Sequence, residues 1–168
     1  MSLTQAAADS RIEELGMDDL PLEKFRPIPH QIAPDWFKKY HELIHTFATT
    51  LTDSIQELAF LNLPQQDFID LVMGRRLPEN LSVRFRVPLV WGGKLELDNL
   101  FMCLTFPHAH NMDRFIIEQS GNDFVWLPNP AKKIYIPAHM AGGGDGGNAT
   151  QDRLTEIAAQ IVTSRGME

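Results

Sequence analysis

Apolar side chains along this chain change their period near residue 78, dividing it into a helical half and a strand-like half. Trp36, Tyr40, Leu43, Ile44, Phe47, Leu51, Ile55 and Leu58 recur at helical spacing. That single stripe predicts an amphipathic helix from about Trp36 to Leu61, with Asp35 as its cap. Pro64 opens a shorter helix through Phe68, Ile69, Leu71 and Val72, which Gly74 ends. After Pro78 the pattern alternates. Val83, Phe85 and Val87 oppose Ser82, Arg84 and Arg86, as in a half-buried strand. Gly92-Gly93 is placed to turn that strand into a second over Lys94–Phe106. There the apolar parity switches at Asp98-Asn99, which predicts a bulge or break. Arg114–Gln119, Phe124–Leu127 and Lys133–Ile136 read as three more strands, separated by Ser120-Gly121-Asn122-Asp123 and Pro128-Asn129-Pro130. Five strands on short turns predict an antiparallel β-meander.

The expected fold class is therefore α+β in a single domain: N-terminal helices, a meander of about five strands, and a C-terminal amphipathic helix. Residues 1–34 form an extended, proline-rich lead-in, with prolines at 21, 27, 29 and 34. A short helix of low apolar content, from about Thr4 to Leu15, is stopped by Gly16. Residues 35–140 make the core and 141–149 a glycine-rich hinge. Residues 150–168 carry the last helix, capped by Thr150, with Leu154, Ile157, Ala158, Ile161 and Val162 on one face. That face must be buried, against its own sheet or against a partner.

Composition narrows the class. The chain has 168 residues, 43% apolar and 22% charged, the size and balance of one globular domain. A formal charge of −7 repels phosphate, which argues against nucleic acid and against an anionic membrane surface as partners. Cys103 is the lone cysteine, which excludes an intrachain disulfide and a thiolate zinc cluster and fits a reducing compartment. The segment Met1–Leu20 is acidic and lacks the apolar run of a signal peptide. No apolar stretch approaches the ~20 residues of a spanning helix. The expected location is the cytoplasm.

Three fragments carry candidate chemistry. His41-Glu42-Leu43-Ile44-His45 resembles the HExxH signature of zinc metallopeptidases. The resemblance implies that His41 and His45 bind zinc from adjacent turns and that Glu42 acts as general base on metal-bound water. A third ligand has to come from His108, His110 or His139. Glu57 lies twelve residues past His45, ~18 Å away on a continuous helix, and cannot close the site. His108-Ala109-His110 would put both rings on one side of an extended segment, a usable metal spacing. Lys39 departs from the usual uncharged position of that family. The apolar stripe also centres near Phe47 and Leu51, so the helix is expected to show its imidazoles and Glu42 to water.

Val87-Pro88-Leu89-Val90-Trp91-Gly92-Gly93 with Leu97-Asp98-Asn99-Leu100 resembles the middle of an HNH nuclease finger. Phe85 and Arg86 stand where that family has its base, and without a base no water is activated. Gly142–Gly147 satisfies GxGxxG, the phosphate-cradling turn of a dinucleotide fold, but nothing after it supplies the next strand of a βαβ unit, so it reads as a linker. Finally, Arg75, Arg76, Arg84 and Arg86 gather within twelve residues. They form either a solvated outer face, with Glu79 and Glu96 nearby, or a receiver for an acidic protein surface or a phosphate.

The leading expectation is a non-catalytic interaction or assembly component of a cytoplasmic complex that needs no cofactor. It would bind another protein, or itself, through Arg75, Arg76, Arg84, Arg86, Leu154, Ile157 and Ile161. The alternatives are a zinc-dependent hydrolase built on His41, Glu42 and His45, and an acidic escort that holds a secretion substrate unfolded.

Overall fold

A computed structural model describes residues 3–17, 20–29 and 31–137. The protein is α+β, with helices α1 (Gln5–Glu14), α2 (Trp36–Thr49), α3 (Ile55–Phe60), α4 (Gln65–Val72) and α5 (His110–Glu118). The strands are β1 (Leu22–Phe25), β2 (Leu81–Phe85), β3 (Leu100–Leu104) and β4 (Val125–Pro128).

The first helix forms where expected, because the Thr4 hydroxyl accepts from the Ala7 amide at 3.1 Å and satisfies an orphan donor of its first turn. The long helix does not run unbroken from Trp36 to Leu61. It tightens into a 3₁₀ turn over Thr50–Ser54 before α3 begins. The cause is local: the Thr49 and Thr50 hydroxyls bond back to the carbonyls of Thr46 and Phe47, each at 2.7 Å, competing with the helical ladder. The break still leaves Leu51 and Leu58 fully buried.

The five-strand meander is not what forms. Among the described residues there are two antiparallel two-stranded sheets, β1–β4 and β2–β3. The first runs from Leu22 opposite Pro128 to Phe25 opposite Val125, and the second from Leu81 opposite Leu104 to Phe85 opposite Leu100. Arg114–Gln119, expected as a strand, lies almost wholly in α5. Met112, Phe115 and Gln119 are its buried side chains, three and four apart, which is the helical period. Phe115-Ile116-Ile117 is apolar by itself and fits either element in a short window. Lys133–Ile136 contributes only a parallel bridge between Ile134 and Met102. The strand expected from Lys94 starts at Leu100 instead.

Gly92-Gly93 is not a two-residue hairpin. The β2–β3 connection is a long loop with 3₁₀ turns at Leu89–Trp91 and Leu97–Asn99. Gly92 closes the first with φ +98°, and a Cβ on Gly93 would sit 1.9 Å from the Val87 carbonyl oxygen. Close backbone approach is thus the reason for that glycine. The Asn99 side chain pins the same loop, accepting from the Val87 amide at 2.9 Å and donating to the carbonyls of Val87 and Lys94 at 3.0 and 2.9 Å.

Strand β3 separates two cores. Leu100 and Met102 face a cluster built from Phe47, Leu51, Leu58, Phe68 and Leu71. Phe101 and Cys103, of the opposite parity, face Ala8, Ile12, Met112, Phe115 and Trp126. Helices α2 to α4 therefore cover one face of the β2–β3 sheet, and α1 and α5 the other. Bonds that further strands would supply come from side chains. The Tyr40 hydroxyl donates to the Val83 carbonyl at 3.2 Å, and buried Gln119 bonds both the amide and the carbonyl of Trp126. Sheet edges left bare would invite pairing with other chains. Among the described residues no helix is long and apolar enough to cross a membrane.

Candidate functional site

Helix α5 turns Met112 and Phe115 inward and leaves His110, Arg114, Ile117 and Glu118 exposed. Ile117 is 69% exposed, and Phe106, just before the helix, is 70% exposed. Beside Ile117 lies an open groove of about 310 Å³, lined by Pro88, Phe101, Met112, Ile116 and Pro128. One wall is ionic. Arg84 forks onto Asp113, Nε to Oδ1 and Nη2 to Oδ2, both at 3.1 Å.

At the C-terminal end of α5, Arg11 makes a second fork onto Glu118 at 3.0 and 2.6 Å, and Arg114 approaches the same carboxylate at 3.3 Å. These bonds, the one from Arg11 foremost, hold the Glu118 carboxyl below the usual range despite the opposing cost of burial.

The four arginines do not form a shared free face. Arg84 belongs to the groove wall. Arg86 lies just past the end of β2 and its donors are spent on oxygens of the chain itself: Asp98 O at 3.1 Å, Asn129 Oδ1 at 3.0 Å, Pro130 O at 2.5 Å and Lys132 O at 3.3 Å. Its guanidinium also stands 5.6 Å from the Phe101 ring centroid. Burial pushes its pKa down, and Asp98 opposes that. Arg76 bonds Asp67 at 2.5 Å and Asp70 at 3.0 Å, while Arg75 reaches Asp70 only at 3.6 Å. The balancing acids come from α4 and α5, not from Glu79 or Glu96.

His41, Glu42 and His45 are all exposed on α2. The segment after α4 returns across this face, so both imidazoles line an open cleft of about 260 Å³ with Gly74, Arg75, Arg76 and Leu77. His45 Nδ1 donates to the Gly74 carbonyl at 2.6 Å, which leaves Nε2 as the nitrogen presented outward. The Phe37 ring meets His41 edge-on at 4.4 Å.

The other histidines are placed differently. His108 is buried, with its ring 5.4 Å from that of Tyr135. His110 is exposed beside Phe106 at 6.2 Å. Ala109 and His110 have right-handed helical backbone, with φ −62°, ψ −41° and φ −58°, ψ −47°, so the two rings do not share the strand face expected of them. His139, Leu154, Ile157, Ile161 and the Gly142–Gly147 loop lie outside the described residues. Among the described residues no three His, Cys, Asp or Glu side chains group as a metal site. Cys103 is fully buried, and burial pushes its thiol up to about 12, far from the thiolate a nucleophile requires.

The nuclease-like fragment has a structural explanation. Asn99 clamps the loop, and the residues after it form β3 where that family has a helix.

The sequence alone does not reveal the groove, because the apolar run Phe115-Ile116-Ile117 fits a strand as well as a helix. The signal that finds it is the Met112, Phe115, Gln119 spacing. Comparison of the chain with known protein families, with curated proteins and with solved structures finds no match.

Proposed function

We propose that this chain is a non-catalytic interaction component of a cytoplasmic complex, and that it docks a partner protein along α5. The observation that carries the reading is Ile117, exposed by 69% at the lip of an apolar groove. Burying such a side chain is worth about 2 kcal/mol, and the Arg84–Asp113 pair on the groove wall gives a partner charges to match. The occupant that fits is an amphipathic helix offering apolar residues at i, i+3 and i+7, laid alongside α5. The lone buried cysteine is consistent with a reducing compartment.

A photo-crosslinking residue at position 117 tests this when the captured protein is then identified, purified and re-bound as a defined pair. The expected result is an adduct that an exposed control at Lys38 does not form. Equal adducts at both positions would remove the reading, and an adduct between two copies of this chain would convert it to self-association.

A zinc-dependent hydrolase is the second reading, favoured by one observation. The bond from His45 Nδ1 to the Gly74 carbonyl orients Nε2 in the way a carbonyl behind a zinc-binding imidazole orients its metal-facing nitrogen. Against it, Arg75 and Arg76 share the cleft and repel a dication. Of the expected third ligands, His108 is buried beside Tyr135 and His139 lies outside the described residues. Metal analysis of untagged protein decides it: near-stoichiometric zinc that His45→Ala removes would establish this reading, and metal-free protein would end it.

A further inference from the structure

The groove along α5 has a match within the same chain. Residues 150–164 place Leu154, Ile157 and Ile161 at i, i+3 and i+7, the anchor spacing of a helix laid in a groove. We infer that in the free protein this segment occupies the α5 groove as an intramolecular stand-in, which a partner must displace. The inference rests on the docking reading above and adds regulation to it.

Three observations argue for this occupant. First, reach: the described chain stops at Pro137, and residues 138–149 form a twelve-residue connection that can span about 40 Å. The radius of gyration of a body this size is only about 14 Å, so the segment reaches any face. Second, tethering holds a short segment at an effective concentration on the order of millimolar, so weak docking suffices for occupancy. Third, the groove chosen is the most apolar of those near α5 and the chain end. The cleft beside Ile136 carries Gln56 as well as the Glu57–Lys132 ion pair, whereas the α5 groove has the Arg84–Asp113 pair on one wall and is otherwise lined by apolar residues, Phe101, Met112 and Ile116 among them. Asp152, Arg153 and Glu156 give the segment both charge signs, as the Arg84–Asp113 wall has.

Disulfide trapping in the full chain tests the inference directly, because the buried Cys103 thiol does not compete. Ile117→Cys is combined in turn with Leu154→Cys, Ile157→Cys and Ile161→Cys. Lys38→Cys, on α2 across the β2–β3 sheet, replaces Ile117→Cys in the control pairs. The expected result is that at least one pair containing position 117 closes within a monomer, at least tenfold faster than its Lys38→Cys counterpart. Equal rates, or no intrachain bond in any pair, overturn the inference. A product consisting only of disulfide-linked dimers also overturns it and assigns the segment to a second copy. The docking reading fails separately. If trapping fails while Ile117→Asp still abolishes binding of the defined partner, the partner uses the groove and the tail does not.

Discussion

Gln119 takes the place of a missing strand for Trp126. Its side-chain oxygen accepts from the Trp126 amide at 2.7 Å, and its side-chain nitrogen donates to the Trp126 carbonyl at 2.9 Å. A neighbouring strand would make the same two bonds. Gln119 is completely buried, so neither group of Trp126 has water as a substitute. Replacing it with leucine keeps the apolar volume and orphans both. At about 1–3 kcal/mol for each buried unsatisfied group, Gln119→Leu is expected to lower stability by about 2–6 kcal/mol in urea titration. A loss under about 0.5 kcal/mol would show that the pairing contributes little.

A second coupling ties α2 to the end of α4. Gly74 has φ +71°, and a Cβ there would lie 2.7 Å from the His45 ring. Gly74→Ala thus meets two penalties, left-handed backbone strain and ring displacement, together about 1–3 kcal/mol. In a His45→Ala background the ring contact disappears, while the backbone strain and a 3.2 Å approach to the residue 45 carbonyl oxygen survive. A double-mutant cycle should therefore show coupling on the order of 1 kcal/mol. Strict additivity would mean the imidazole moves aside freely.

Acid stability should report on Asp70. Its carboxylate accepts from Gln66 at 2.9 Å and from Arg76 at 3.0 Å. These bonds hold its pKa below the ordinary value, that from Gln66 first. The unfolded chain therefore takes up this proton more readily than the native one. The stabilisation is complete above the unfolded pKa, about 3.9, and is lost as pH falls through the lower native value. Asp70→Asn is expected to flatten the decline in stability below about pH 4 measured by chemical denaturation. An unchanged slope would rule out this carboxylate as a contributor.

The helical half was legible because its signals are local. Thr4, Asp35 and Pro64 mark helix starts, and Phe47, Leu51, Leu58, Phe68 and Leu71 announce their burial by spacing. The strand half was not, for identifiable reasons. Short apolar runs such as Phe115-Ile116-Ile117 satisfy both periods, and β1 hides among prolines because Leu22–Phe25 pairs only with the distant β4. The roles of the arginines were equally invisible, since Arg84 finds Asp113 and Arg86 finds Asn129 only after the chain folds back. The candidate groove required that same long-range step. Its lining joins β2, β3 and α5, and no window of sequence contains all three.

The central claim is that the face of α5 around Ile117 receives a partner protein. Its most direct test is the affinity of the purified partner, identified by crosslinking at position 117, for wild-type chain, Ile117→Asp and Lys38→Asp, each confirmed as folded. A charge placed at the apolar lip should weaken binding at least tenfold, a loss of about 1.4 kcal/mol or more, while Lys38→Asp leaves it unchanged. Equal affinity for the wild type and Ile117→Asp would contradict the account.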